Sequence, residues 1–327
     1  MAVALVCATF PLIWVGGLVT TYDAGMAVPD WPTTYGYNLF LYPIDTWIAG
    51  PWDLFIEHGH RLLGAFAGML TIGLTLTAWW CDDRRWLRWL TIAALALVIV
   101  QGLLGGARVV QDERQLAKIH GCLGPVFFAL ATALAVFTSR VWRSGPAMPP
   151  HPNAGKLHRL GILTMVMAYL QLVLGANLRH MPVTASVGDF RAALIFHLLG
   201  AAAVVAHTAL LVVFVLRHFR GVAPLRRPAV ILAILVALQL TLGVGTWIVK
   251  YSLPTGVEGT ALLGGFTIEN EGMLQSLTVT AHTAGGSLIL AVSVALALRA
   301  LRLAPRKTES LVSESVSLQP PATETVA

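Results

Sequence analysis

Four histidines carry the chemistry that this sequence advertises: His60, His120, His197 and His282, each followed four positions later by a small residue, Gly64, Gly124, Ala201 and Gly286. Positions i and i+4 share one face of a helix, so a flat ring system could lie against the backbone beside each imidazole. Ordinary packing of small residues between membrane helices accounts for the same spacing. A carboxylate and a guanidinium, Glu57 and Arg61, flank the first histidine in the stretch EHGHRLLG. Ionisable groups are costly within a bilayer, so a cluster at the edge of an apolar run marks a functional site or a set of side chains reaching for water.

The elements that position these residues are membrane spans. The chain has 327 residues, of which 56% are hydrophobic and only 12% charged, about half the charge of a soluble domain. Apolar runs near 20 residues long predict eight transmembrane helices, near 2–20, 58–80, 87–107, 118–138, 159–177, 192–216, 229–249 and 276–300. The start lacks a basic region and a cleavage site, so it reads as a retained first span. Cys7, Cys81 and Cys122 form no CxxC, CxxCH or zinc spacing, which argues against a disulfide framework and against covalent c-type heme attachment.

Lysine and arginine set the orientation. In or within two positions of connections 81–86, 139–158, 217–228 and the tail from 301 lie 15 of the 22 Lys and Arg residues; the opposite connections 21–57, 108–117, 178–191 and 250–275, with Arg61 a little further into its helix, account for the other 7. The positive-inside rule then places both termini in the cytoplasm and the histidines toward the outer face of the cell (inner) membrane. The net charge of +6 is explained by this bias, and no nucleic-acid partner is expected. Residues 304–327, rich in Ser, Thr, Glu and Pro, read as a disordered cytoplasmic tail. The first outer connection lacks Lys and Arg and is rich in Trp, Tyr and Pro, as expected of an aromatic belt or of a cap over a site that opens outward.

The two halves, 1–150 and 151–303, resemble each other. EHGHRLLGAFAGMLTIGL parallels LIFHLLGAAAVVAHTALL, and KIHGCLGPVFFALATALAV parallels TAHTAGGSLILAVSVALAL. Spans 3, 5 and 7 each hold Q-x-x-L-G, at Gln101–Gly105, Gln171–Gly175 and Gln239–Gly243. Four spans per half return the chain to the same side, so the repeat is parallel. The predicted fold is an all-α integral membrane protein, eight helices in two pseudo-symmetric four-helix bundles. The four histidines fall at matching depth, two per half. Two imidazoles facing across a bundle suit axial ligation of a heme iron, whereas zinc would want three or four ligands at one centre.

The other histidines lack this pattern. His151, His158 and His218 lie on the basic side and are expected to be solvated; His58 points away from His60; His180 lies in an outer loop; His207 reads as buried and hydrogen-bonded. The halves differ at Glu57, three positions before His60, where the second half has Leu194. That asymmetry places chemistry in the first half, unless Glu57 serves only as a partner for Arg61 or as a helix N-terminal charge. Arg61, Arg108, Arg179 and Arg191 lie at the outer level, and Arg61 and Arg108 are candidate partners for heme propionates.

On E-x-x-H-R at Glu57–Arg61, H-G-x-x-G at His120–Gly124, F-H-L-L-G-A at Phe196–Ala201 and A-H-T-x-G-G at Ala281–Gly286, the chain resembles the heme A synthase family. V-G-G-L-V-T at Val15–Thr20 and P-D-W-P at Pro29–Pro32 add to the resemblance, which covers about residues 10–300. It implies oxidation of a porphyrin methyl of heme O to the formyl of heme A, with oxygen from water, for cytochrome oxidase assembly. His60 and His120 would then hold the substrate heme, His197 and His282 a permanent heme b, and Glu57 would be the catalytic carboxylate. The implied partners are a heme O synthase as supplier and a membrane electron acceptor such as a quinone.

The sequence also departs from the family. Some members carry a cysteine pair in the first outer loop, absent here, so a thiol–disulfide step in that loop cannot operate. Many read R-L-T-G-S-G after the first span, where this chain has T-T-Y-D-A-G at Thr20–Gly25. Two other classes compete: a diheme b-type electron-transfer protein, and a heme-handling or transport protein. Glu57, present in one half only, favours the enzyme over the electron carrier.

Overall fold

A computed structural model describes residues 1–145, 148–182, 184–251 and 272–305. Eight long helices dominate it: α1 Ala2–Thr21, α2 Trp52–Cys81, α3 Arg85–Gln111, α4 Arg114–Thr138, α5 Ala154–Arg179, α6 Val187–His218, α7 Ala223–Tyr251 and α8 Met273–Leu303. All eight are long and apolar enough to cross a membrane, with mean hydropathy between 1.6 and 2.4. Nearly all of the expected tail, and most of the connection 250–275, lie outside the described residues.

The helices overrun the predicted spans, most at the ends nearest the histidines. Helix α2 begins at Trp52, after Pro51, so Glu57 lies inside a helix whose first six residues the sequence placed in the connection 21–57. Residues 52–57 mix Asp53 and Glu57 with aromatic side chains, which lowers the apolar average without breaking the helix. Helix α6 begins at Val187 behind a capping box, in which Ser186 Oγ accepts from the Asp189 N–H and the Asp189 carboxylate accepts from Ser186. That pair satisfies donors that a helix start leaves free.

Helices α1 to α4 pack on one another, as do α5 to α8, and α8 runs against α1 and α4 to join the groups. One apolar cluster lies among α1–α4 around Leu5, Ala67, Leu87, Phe127 and Leu134. A larger one lies among α5–α8 around Leu157, Leu211, Leu232 and Leu296. Phe66, Met69, Ile72 and Leu76 of α2 and Ile195, Phe196, Leu198 and Leu199 of α6 are exposed instead. A water-facing surface would not carry such stripes, but lipid solvates them at no cost.

At the seam, Thr21 and Thr280 hydroxyls meet at 3.2 Å. Arg179, at the end of α5, donates to the Gly17 carbonyl at 2.8 Å, to Thr21 Oγ1 at 2.7 Å and to Thr283 Oγ1 at 3.3 Å. One half-buried guanidinium thus ties α5 to α1 and α8. At the opposite end, His158 is 3% exposed and its Nε2 lies 3.1 Å from the Ala300 carbonyl. The expectation that His158 is solvated is therefore wrong: the first turn of α5 is inside the bundle, and its imidazole meets a main-chain acceptor on α8. His207 is hydrogen-bonded as expected, its Nδ1 2.9 Å from Thr164 Oγ1.

Candidate functional site

His60, His120, His197 and His282 each lie near the N-terminal end of their helix, on α2, α4, α6 and α8. Since α1, α3, α5 and α7 arrive at the same end, four glycines near the ends of those helices can face the imidazoles. A Cβ on Gly16 would stand 2.7 Å from Cε1 of His60; on Gly105, 3.3 Å from His120; on Gly175, 3.2 Å from His197; on Gly243, 3.1 Å from His282. Each ring is therefore seated on the bare backbone of the preceding helix. The glycine of Q-x-x-L-G has this role three times, and Gly16 supplies it for His60.

The rings come together in two pairs. His60 and His120 have centroids 6.3 Å apart with planes at 86°; His197 and His282 are also 6.3 Å apart, at 75°. A metal–imidazole bond of about 2 Å and about 1.2 Å from nitrogen to ring centre put two rings on one metal about 6 Å apart. Both pairs match that span. Among the described residues, no group of three or more His, Cys, Asp or Glu could hold a metal ion. Two axial imidazoles per centre fit a porphyrin iron, whose other four ligands belong to the ring.

Main-chain carbonyls lie beside three of the four rings. His120 Nδ1 lies 3.1 Å from the Gln101 carbonyl, and the Leu12 and Gln239 carbonyls face the rings of His60 and His282.

The small residues after the ligands divide. A Cβ on Gly124 would meet nothing within 4 Å, and one on Gly64 would only touch Leu12 at 3.9 Å. A Cβ on Gly286 would stand 2.7 Å from Leu172 Cδ2. Beside His60 and His120 the glycines border open space, whereas Gly286 serves close helix packing.

Glu57 is 3% exposed. Its Oε1 pairs with Arg61 at 2.8 Å and its Oε2 accepts from the Val28 N–H at 2.8 Å. Arg61 further donates to the carbonyls of Asp30 at 2.7 Å, Thr33 at 2.9 Å and Val28 at 2.8 Å. This ion pair fastens the aromatic loop 22–51 onto α2. Within the loop, the Asp30 carboxylate accepts from Thr33 Oγ1, Tyr35 N and Gly36 N. Partial burial alone would raise the Asp30 pKa, but these bonds outweigh it and hold the carboxyl below its usual range. The Trp31 ring lies against Gly106, next to the glycine that seats His120. His58 faces this loop, with Nδ1 3.1 Å from Thr34 Oγ1 and its ring between Tyr42 and Trp47.

Arg108 packs its guanidinium against Gly25, near Glu57 and Asp23. Among the described residues its side chain makes no hydrogen bond or close ion pair. His180, just past α5, is pushed down to about 3 by burial and by Arg179, Arg108, Lys118 and Lys250, and so is neutral at pH 7.

Two expected outcomes follow from this geometry. Gly16→Ala displaces the His60 ring, because 2.7 Å is too short for a carbon–carbon contact; pigment binding at the first pair falls while the second pair keeps its absorbance, read by heme extraction from purified protein. Arg61→Ala releases loop 22–51 and leaves Glu57 buried without its partner, a loss of about 3–5 kcal/mol for a buried pair. Limited proteolysis should then cut within the loop, which resists cutting in the unaltered chain.

The fold and site define a multi-pass helical membrane protein with two centres of paired histidines. The family model COX15-CtaA, described as cytochrome oxidase assembly protein, matches residues 51–190. The "Heme A synthase" of Shouchella clausii is 28% identical over 186 residues, 54% of this chain and 56% of that protein. The "Heme A synthase" of Geobacillus kaustophilus is 25% identical over 249 residues, 69% of this chain and 73% of that protein. A "Protoheme IX farnesyltransferase" of Halobacterium salinarum is 27% identical over 174 residues, 50% of this chain and 36% of that protein. The family model covers less than half of the chain, and the chain spans little more than half the length of the Shouchella relative.

Proposed function

We propose that this protein is a heme A synthase, which oxidises a methyl group of heme O to a formyl group. The observation that carries this reading is the pair of histidine couples, each with ring centroids 6.3 Å apart. The heme-ligand chemistry of both centres, the family, and the names of the relatives all point the same way.

The two halves, 1–150 and 151–303, act as repeats with different tasks. His60 and His120 hold the substrate, and the open glycines Gly64 and Gly124 let its ring lie close to the backbone. His197 and His282 hold one heme b, which supplies one-electron redox chemistry. Arg108, whose guanidinium makes no hydrogen bond among the described residues, is the propionate partner in the first half; Arg61, the other candidate, is committed to loop 22–51. Glu57 is the catalytic carboxylate, accepting protons released as the methyl is oxidised with oxygen from water. Electrons leave to a membrane acceptor such as a quinone. Heme O comes from a farnesyltransferase, and a relative bearing that name supports such a supplier. Both termini are cytoplasmic and the heme sites lie toward the outer face, a reading supported by the Lys and Arg distribution.

The test is heme extraction and chromatography from cells that make heme O, with and without this chain. Heme A or its hydroxylated precursor should appear only with it, and absence of both would defeat the enzyme reading.

A further inference from the structure

The histidines are held by more than their glycine seats, and one of them is held differently. Gln239 Nε2 donates to the main-chain carbonyl of His282 at 2.7 Å, and Gln171 Nε2 to that of His197 at 2.9 Å, 3.1 Å from its Nδ1. With its carboxamide turned to satisfy both ends, Gln101 donates to the His120 carbonyl at 3.3 Å and to Nδ1 at 2.8 Å. In that setting it also accepts from the Gly124 N–H at 3.1 Å. Each glutamine lies four positions before the glycine that seats the same ring. The fourth place, four before Gly16, is Leu12.

Leu12 does half of the task. Its carbonyl faces the His60 ring, but its side chain has no donor for the His60 carbonyl and lies over Gly64 instead. His60 Nδ1 is buried with no partner in hydrogen-bond geometry. His282 Nδ1 is in the same condition, so what distinguishes the three from His60 is the amide bond to the histidine's own carbonyl. That bond ties the ligand's backbone to the neighbouring helix.

On the reading that these histidines bind heme, we infer that Gln101, Gln171 and Gln239 are positioning residues that fix His120, His197 and His282 as permanent axial ligands, while Leu12 leaves His60 as the ligand that releases. The second centre then has two fixed ligands, as a resident cofactor needs. The first has one fixed and one yielding ligand, as a site that must exchange substrate for product needs. Outer-shell partners of metal ligands commonly alter metal affinity about 10–100-fold.

The test uses the full-length purified protein carrying heme b and loaded with heme O, mixed with excess apomyoglobin as heme acceptor. Release of each pigment is followed by chromatography. Leu12→Gln should slow heme O release about tenfold and leave heme b release unchanged. Gln239→Leu should speed heme b release about 10–100-fold, with a partly high-spin signal in electron paramagnetic resonance and unchanged heme O release. Should Leu12→Gln fail to fold, Gln101→Leu tests the same centre and should speed heme O release alone. Unchanged rates, or equal acceleration of both pigments, overturn the inference while leaving the heme reading intact. An unaltered chain that binds neither pigment overturns the heme reading itself.

Discussion

Replacing His197 or His282 by alanine removes the heme b absorbance from the purified protein, while replacing His60 or His120 leaves that absorbance and abolishes heme A formation. The geometry makes this an all-or-none expectation. Each centre has two imidazoles whose centroids are 6.3 Å apart, and no third His, Cys, Asp or Glu joins either among the described residues. Loss of one ring would leave a single protein ligand for the iron. A low-spin centre becomes high-spin or loses its pigment during purification. The two outcomes must separate by half, because Thr21–Thr280 and Arg179 hold the seam through main-chain and hydroxyl contacts that do not involve the four rings. Visible spectra and extracted pigments of the four variants check it. The reverse pattern, heme b lost with His60 or His120 and kept without His197 or His282, would exchange the roles of the halves.

Much of this was legible before any coordinates. Eight apolar runs give eight helices because lipid leaves the backbone few alternatives to helix. The four histidines stood out because both their depth and their following small residues recur. Helix starts were less legible: Trp52–Glu57 is helical although its composition resembles a loop. His158 was misread because proximity to basic residues said nothing about α8 at its side. Q-x-x-L-G showed as a recurring motif, but its meaning depends on which helix each glycine faces, and that is a tertiary fact. The same is true of Arg61. Its three carbonyl acceptors lie about thirty residues earlier in sequence, in a loop whose path no periodicity encodes.

Glu57→Gln is expected to retain heme b and the folded loop yet lose about 10²–10⁴-fold in heme A formation, the range for a general acid–base group. The glutamine is chosen because the structure gives this carboxylate two tasks. It pairs with Arg61 and accepts from Val28 N–H, both at 2.8 Å, so Glu57→Ala would remove an anchor of loop 22–51 as well as a base. A glutamine oxygen can still accept one of these bonds and its volume is unchanged, so the loop stays in place while the charge and the basic oxygen are gone. Arg61→Ala provides the complement, since it frees the loop but leaves the carboxylate. If Glu57 acts only through the loop, Arg61→Ala damages conversion more than Glu57→Gln does, and proteolysis of residues 22–51 tracks the loss. If Glu57 takes protons from the reacting substrate, Glu57→Gln is the more damaging and the loop stays resistant to protease. Heme A yield and loop cleavage, measured on the same two variants, separate the anchor from the base.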